Sequence, residues 1–175
     1  MTSVRIENIV ATCPLGSDLD LDRLCRELPE SEYDPEHFHA LVYRDKKNKG
    51  SLLVNNSGIV VAVGFKTEDL MRTSLDDFVQ MLRFMGIQAS RGPIEVVNLV
   101  ASVALSSKLD LEQVALALPT AVYDPDQFPG VVVRMTRPKA TLLIFGSGRL
   151  VCTGASSRGA AEEAIARACA AIERM

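Results

Sequence analysis

The sequence predicts an α+β fold made of two direct repeats that pack edge to edge into one long curved antiparallel β-sheet, with helices on the convex face and the other face open. Three observations carry this expectation. The first is an internal repeat at a constant offset of 90 residues. The second is that each half reads as strand, helix, four strands, helix, an order that gives an antiparallel sheet covered on one side. The third is that the strands are apolar almost continuously. A sheet with helices on one side only should alternate apolar and polar residues. Continuous apolarity therefore says that both faces meet something nonaqueous, in a buried sheet, an obligate dimer or a broad apolar binding surface.

The repeat is read by laying residue n beside residue n+90. Asn8 meets Asn98, Val10-Ala11 meets Val100-Ala101, and Leu19-Asp20-Leu21 meets Leu109-Asp110-Leu111. Leu28-Pro29 meets Leu118-Pro119, and Tyr33-Asp34-Pro35 meets Tyr123-Asp124-Pro125. Phe38 meets Phe128, Arg44 meets Arg134, Leu52-Leu53 meets Leu142-Leu143, Val61 meets Val151 and Gly64 meets Gly154. Chance does not produce a gapless offset over such a span, and an internal repeat outranks other signals. The expected halves are residues 1–90 and 91–175.

Each element has its own local reason. Residues 4–13 are rich in Val and Ile and read as a strand. Residues 20–28 set Leu21, Leu24, Cys25 and Leu28 on one helical face, and Pro29 stops that helix. The Tyr33-Asp34-Pro35 segment is a turn with a short extended lead-in. Residues 39–45, 51–55 and 59–65 read as consecutive strands, joined by hairpins at 45–50 and 56–58. Thr67 or Ser74 caps the closing helix. That helix shows Met71, Leu75, Phe78, Val79, Leu82 and Met85 at helical spacing, and Gly86 suits its C′ position. The second closing helix, residues 157–174, is Ala-rich and turns Ala161, Ile165, Ala168 and Ile172 inward.

Composition narrows the function classes. The chain has 175 residues, 47% apolar and 23% charged, an ordinary globular balance. No apolar run reaches the roughly 18 residues of a membrane span. The N-terminus lacks the charged-then-apolar layout of a secretion signal. A net charge of −3 excludes binding nucleic acid by overall charge, though not a local basic face. Cys13, Cys25, Cys152 and Cys169 form no CxxC and read as small apolar residues. His37 and His39 flank Phe38 without a third ligand, so no metal is expected, and no cofactor. There is no paired-carboxylate site, no nucleophile–histidine arrangement and no phosphate loop, so an enzyme has no support. Asp20, Asp22, Glu27, Glu30 and Glu32 read as a solvated face.

The motifs then carry a resemblance. They are E-N-I-V-A-T at 7–12, L-D-L at 19–21, Y-D-P-E-x-F at 33–38 and Y-D-P-D-Q-F-P-G-V-V-V-R-M at 123–135, followed by R-P-K at 137–139, L-L-I-F-x-S-G at 142–148 and V-C-T-G-A at 151–155. With the direct repeat, they resemble the core domain of the TATA-binding protein family in its archaeal form, over almost the entire chain. The resemblance implies a saddle whose concave sheet sits on the minor groove of A·T-rich promoter DNA. The minor groove offers a degenerate code, so shape and deformability do much of the reading. Paired phenylalanines wedge between base steps and kink the duplex, this family being itself a standard example of that device. The implied partners are double-stranded promoter DNA, transcription factor B and, indirectly, RNA polymerase, with a homodimer through the apolar face when DNA is absent. The implied location is the cytoplasm, with the nucleoid, for an archaeal chain and the nucleus for a eukaryotic one.

Site residues carry over position by position. Phe128 and Phe145 match the second-repeat wedge pair and Phe38 the first wedge of repeat one. Asn8 and Asn98 match central asparagines whose amides donate to groove acceptors. Val10, Val100, Val61 and Val151 match apolar contacts, with Leu53 and Leu143 on the same surface. Thr153 matches a base-edge hydroxyl. Arg44 and Arg134 match phosphate contacts, with Lys66, Arg137, Lys139 and Arg149 adding to a positive rim. Asp124, Asp126 and Gln127, ahead of Phe128, match the segment that meets transcription factor B. Repeat one departs from the pattern: Asn55 stands where Phe145 stands, Val63 where Thr153 stands and Ile59 where Arg149 stands. The first half therefore has one wedge, with an amide at the second position. These departures and the acidic charge motivate a second expectation, a diverged paralogue that serves as a regulatory or protein-interaction module with weak DNA binding.

Overall fold

Fourteen elements follow one another in the computed structural model, which describes residues 3–175. They run β1 (Arg5–Pro14), α1 (Leu21–Glu27), β2 (Ser31–Glu32), β3 (Leu41–Asp45), β4 (Gly50–Val54), β5 (Ile59–Phe65) and α2 (Glu68–Phe84), then β6 (Glu95–Ala104), α3 (Leu111–Ala117), β7 (Ala121–Val122), β8 (Gly130–Thr136), β9 (Lys139–Phe145), β10 (Arg149–Ala155) and α4 (Arg158–Ile172). The same seven-element order thus occurs twice. Two compact units result. The first is Asn8–Val96, and the second is Val97–Met175 together with the residues through Glu7.

Local chemistry fixes the helices as the sequence suggests, with departures at Ser74, Met85 and Ile172. Asp20 and Asp110 cap α1 and α3 by accepting from backbone N–H groups in the first turn. Thr67 caps α2, accepting from Leu70 N at 3.1 Å. Ser74, the other expected cap, instead lies inside α2 and is fully buried. It sits on the inward face with Met71, Leu75 and Phe78, so helical periodicity overrides its capping preference. Gly86 ends the helix at φ +80°, with its N–H on Arg83 O and the Ile87 N–H on Leu82 O. Met85, expected on the apolar face, is half-exposed just past the helix, and so is Ile172 at the end of α4. Ser157 caps α4 through Ala160 N at 3.1 Å.

Within the first unit the antiparallel strand order is β2-β3-β4-β5-β1, and within the second it is β7-β8-β9-β10-β6. The strands alternate in burial although not in polarity. Leu52, Val54, Val60 and Ala62 are buried under α2, while Leu53, Val61 and Val63 on the other face are half-exposed. Leu142, Ile144, Leu150 and Cys152 are likewise buried, with Leu143, Val151 and Thr153 on the half-exposed face. Continuous apolarity is therefore two patterns superposed: a core face under the helices, and an apolar face open to solvent.

Candidate nucleic-acid interface

The open faces are ordered by strand register. In the first unit Thr12 pairs with Val61, Val61 with Leu53 and Leu53 with Val42, a row of side chains across four strands. In the second unit the row is Ser102, Val151, Leu143 and Val132. These rows include the expected Val61, Leu53, Val151 and Leu143. They add Val42, Val132 and Thr12, which the motif reading missed, while Ser102 at the end of its row is buried against Glu7. Period-two alternation from Leu53 and Leu143 through their neighbours would have found them. A second row sets Arg44 beside Ser51 and Ser51 beside Val63, matched by Arg134, Thr141 and Thr153.

The asparagines are the most tightly determined residues of the site. Asn8 Oδ1 accepts from Gly64 N at 2.7 Å, and Asn98 Oδ1 accepts from Gly154 N at 2.8 Å. Both glycines lie at positive φ, +83° and +77°, where pairing with the neighbouring strand slips. The irregularity turns each glycine N–H toward the asparagine. An amide whose oxygen is engaged by an N–H presents its NH2 outward. Each unit therefore offers one oriented donor beside half-exposed valines, Val10 and Val100.

The ring residues differ between units. Phe128 and Phe145 contact each other, centroids 5.8 Å apart with planes at 59°. Gly130 makes that contact possible: a Cβ there would stand 2.9 Å from Ile144 O and 3.0 Å from the Phe128 ring. In the first unit Phe38 is 48% exposed and has no ring partner among the described residues. Asn55 instead closes its own hairpin, its backbone N–H and its Nδ2 both directed at Ile59 O. The cations differ too. Arg44 is 3.3 Å from Glu32, whereas Arg134 forms no ion pair among the described residues. Arg149 lies 3.8 Å from Glu7, whose carboxylate also accepts from Ser102 Oγ at 2.5 Å.

The segment 124–127 is exposed and rigidly turned. The Asp124 carboxylate accepts from Asp126 N at 3.2 Å, and its carbonyl accepts from Phe128 N at 2.9 Å. Asp124 therefore shapes the turn that delivers Phe128, while Asp126 and Gln127 are free to face outward. The first unit repeats this with Asp34, which also holds His37 Nδ1 at 2.8 Å. No group of His, Cys, Asp and Glu among the described residues is placed to hold a metal. All four cysteines are free, and burial pushes the Cys152 thiol up to about 11, so it stays protonated near neutrality.

Comparison with known proteins points in one direction. The family described as "Transcription factor TFIID (or TATA-binding protein, TBP)" matches residues 3–85 and again residues 93–175. A "TATA-box-binding protein" of Pyrobaculum islandicum is 44% identical over 154 residues, covering 87% of this chain and 77% of the relative. One from Thermococcus celer is 38% identical over 172 residues, covering 98% of this chain and 91% of the relative. Among solved structures, "Methanococcus jannaschii TBP" is similar with a TM-score of 0.88 at 33% identity, over 99% of both chains.

Proposed function

The chain belongs to the TATA-binding protein family, and on that premise we propose that its two open faces bind and bend A·T-rich promoter DNA through the minor groove and present a platform for transcription factor B and then RNA polymerase. Members of the family are DNA-binding transcription initiation factors, not enzymes. No helix among the described residues is long and apolar enough to cross a membrane. The similar proteins are archaeal, and on the proposed role this protein works at the nucleoid DNA of such a cell.

The observation that carries this reading is the matched pair of amides. An outward NH2 donor suits the minor-groove edge of A·T and T·A pairs, which show only acceptors. A G·C pair puts the guanine amino group there, a donor facing a donor. The valines and leucines around each amide suit sugars and base edges and would be left wet in free protein. Phe128, Phe145 and Phe38 serve as wedges, Thr153 as a base-edge hydroxyl, and Arg44 and Arg134 as phosphate contacts. Unstacking a step costs a few kcal/mol, offset by the surface that the bent duplex wraps. Asp126 and Gln127 are the residues for transcription factor B. Free of DNA, the apolar faces favour a homodimer.

Salt-dependent binding tests the reading. An A·T-rich duplex should bind far more tightly than a G·C-rich control, with log affinity falling by about 0.9 per phosphate neutralised as log salt rises. Equal affinity for both duplexes overturns it. Weak binding to both at low salt favours the second reading, a diverged paralogue acting through protein contacts, for which the ring missing at Asn55 and the Arg44–Glu32 pair speak. Asp126→Arg should weaken the ternary complex with transcription factor B and spare the binary one. Asp124→Arg is the poorer probe, since it also breaks the turn before Phe128.

A further inference from the structure

On the helix side of the second unit's sheet lies a cleft of about 450 Å³. Its floor is Val133, Leu142, Ala168 and Ala171, and Arg137, Arg167 and Arg174 border it. In the first unit the equivalent place is occupied by larger side chains. At the offset of 90, Tyr43 stands at Val133, Phe78 at Ala168 and Met81 at Ala171. The Tyr43 and Phe78 rings meet with centroids 5.3 Å apart, and the Tyr43 hydroxyl faces Met81 Sδ at 3.9 Å. Two rings and a thioether in one unit are a valine and two alanines in the other.

Charge inverts along with volume. In the first unit Lys46 pairs with Glu30 at 2.8 Å and Lys47 with Asp77 at 2.9 Å. The second unit has Thr120 at the place of Glu30 and Arg167 at the place of Asp77. Arg137, at the place of Lys47, thus meets a cation where its counterpart meets a carboxylate. Arg167 Nη1 donates to the Arg137 carbonyl at 2.7 Å, and its Nη2 pairs with Glu163. Arg137 and Arg174 form no ion pair among the described residues. Planar guanidinium groups without carboxylates, beside a ring-sized apolar opening, describe the complement of an acidic segment with an aromatic side chain.

We propose that this cleft docks an acidic segment of a partner protein, one aromatic side chain of which enters between α4 and β8 while flanking carboxylates pair with Arg137, Arg167 and Arg174. The partner restores in trans the ring and the acids that the first unit supplies in cis. Val133 and Leu142 face the helices, whereas Val132, Leu143 and Thr153 face the other way, so the segment and a duplex occupy opposite sides of one sheet. The apolar floor disfavours a nucleic-acid backbone as occupant.

The chain has no tryptophan, so a synthetic peptide of Asp and Glu around a single Trp reports its own binding. Titrated against the intact protein, it should give a saturable blue shift and a rise in anisotropy. The double variant Ala168→Phe with Ala171→Met, which installs the first unit's residues, should weaken binding roughly 30-fold, the weight of one anchor side chain. Should that variant unfold, Arg167→Glu with Arg174→Glu, both on the surface, should weaken binding by a similar factor. Neither change should alter affinity for an A·T-rich duplex. The proposal is overturned by no saturable signal at millimolar peptide, by equal binding of a Lys-flanked peptide or of an acidic peptide lacking Trp, by undiminished binding to a folded variant, or by displacement of the peptide by duplex.

Discussion

The two units share an order of elements but divide their labour differently. The first has rings in its core, Phe78 of α2 against Tyr43 of β3 with Phe65 buried in β5, and its hairpin tip carries Asn55. The second places its rings at the hairpin tip, Phe128 against Phe145, and builds the helix contact from Ala161, Ala164 and Ala168. The charges differ as well: residues 8–96 carry 10 Lys and Arg against 14 Asp and Glu, while residues 1–7 and 97–175 together carry 9 against 8. The lesson is that a duplicated fold preserves the backbone register and the paired asparagines while core volume, ring placement and charge drift separately. On the proposed role, the second unit is the stronger DNA ligand, being less acidic and carrying both wedges, and the first is the better packed.

The largest effect that tests this contrast concerns the core. Phe78→Ala should destabilise the protein by about 3–5 kcal/mol, the usual loss for a buried ring, measured by denaturant unfolding. Ala168→Gly at the matching place should cost about 1 kcal/mol, mainly helix propensity. Equal losses would break the claim that the cores differ. Next is the wedge. Phe145→Ala should weaken DNA binding by about 2–4 kcal/mol, and Asn55→Ala by about 1 kcal/mol. Asn55→Phe should increase the bend seen by fluorescence transfer between duplex ends. If Asn55→Ala proves as damaging as Phe145→Ala, then Asn55 is a principal contact and the units are alike after all.

The asparagines should break in the other direction, toward equality. Asn8→Ala and Asn98→Ala each remove a donor and leave a glycine N–H without its acceptor, a loss of about 1–3 kcal/mol. Affinities at one salt concentration should fall alike for both. A loss confined to Asn98 would assign sequence reading to the second unit alone.

The smallest effect is set by pH. Burial pushes the Asp45 carboxyl up, but the Ser74 hydroxyl and the Asn48 side-chain and backbone N–H groups outweigh it and hold it below its ordinary 3.8. Asn48 supplies the clear hydrogen bonds, at 2.8 and 2.9 Å, while Ser74 Oγ makes none of good geometry. A carboxyl lowered in the folded state contributes in full above its unfolded value, and that contribution is lost as pH falls through the folded one. Asp45→Met, which copies Met135, should therefore flatten the loss of stability below about pH 4. An unchanged acid limb in denaturant titrations would remove the cluster from the account.

Much of this was legible in the residues. The element order followed from the offset and from local caps, and the apolar open face from strands too apolar for one core. Other features needed coordinates. That Asn8 and Asn98 have their carbonyls engaged depends on bulges at Gly64 and Gly154, which sequence alternation does not show. That Asp124 also shapes the turn before Phe128 rests on its bond to Asp126 N, a matter of turn geometry that the sequence does not show. Ser74 looked like a cap because capping preference is local, whereas its burial is set by the whole helix face. The cleft beside α4 was present in the offset comparison as Phe78 against Ala168, but a volume change becomes a cavity only when the neighbours are known.

The engaged asparagine carbonyls carry one more consequence. On the proposed role, a donor that cannot turn over puts a single yes-or-no question to the base pair it meets, whether an acceptor is present. A·T and T·A give the same answer. The same question is posed once in each unit, by Asn8 and by Asn98, so the amides do not tell one unit from the other. On the proposed role, the direction in which transcription sets off is written elsewhere, in whatever differs between the units: the ring at 145 against the amide at 55, and Arg134 without a counter-ion against Arg44 with one.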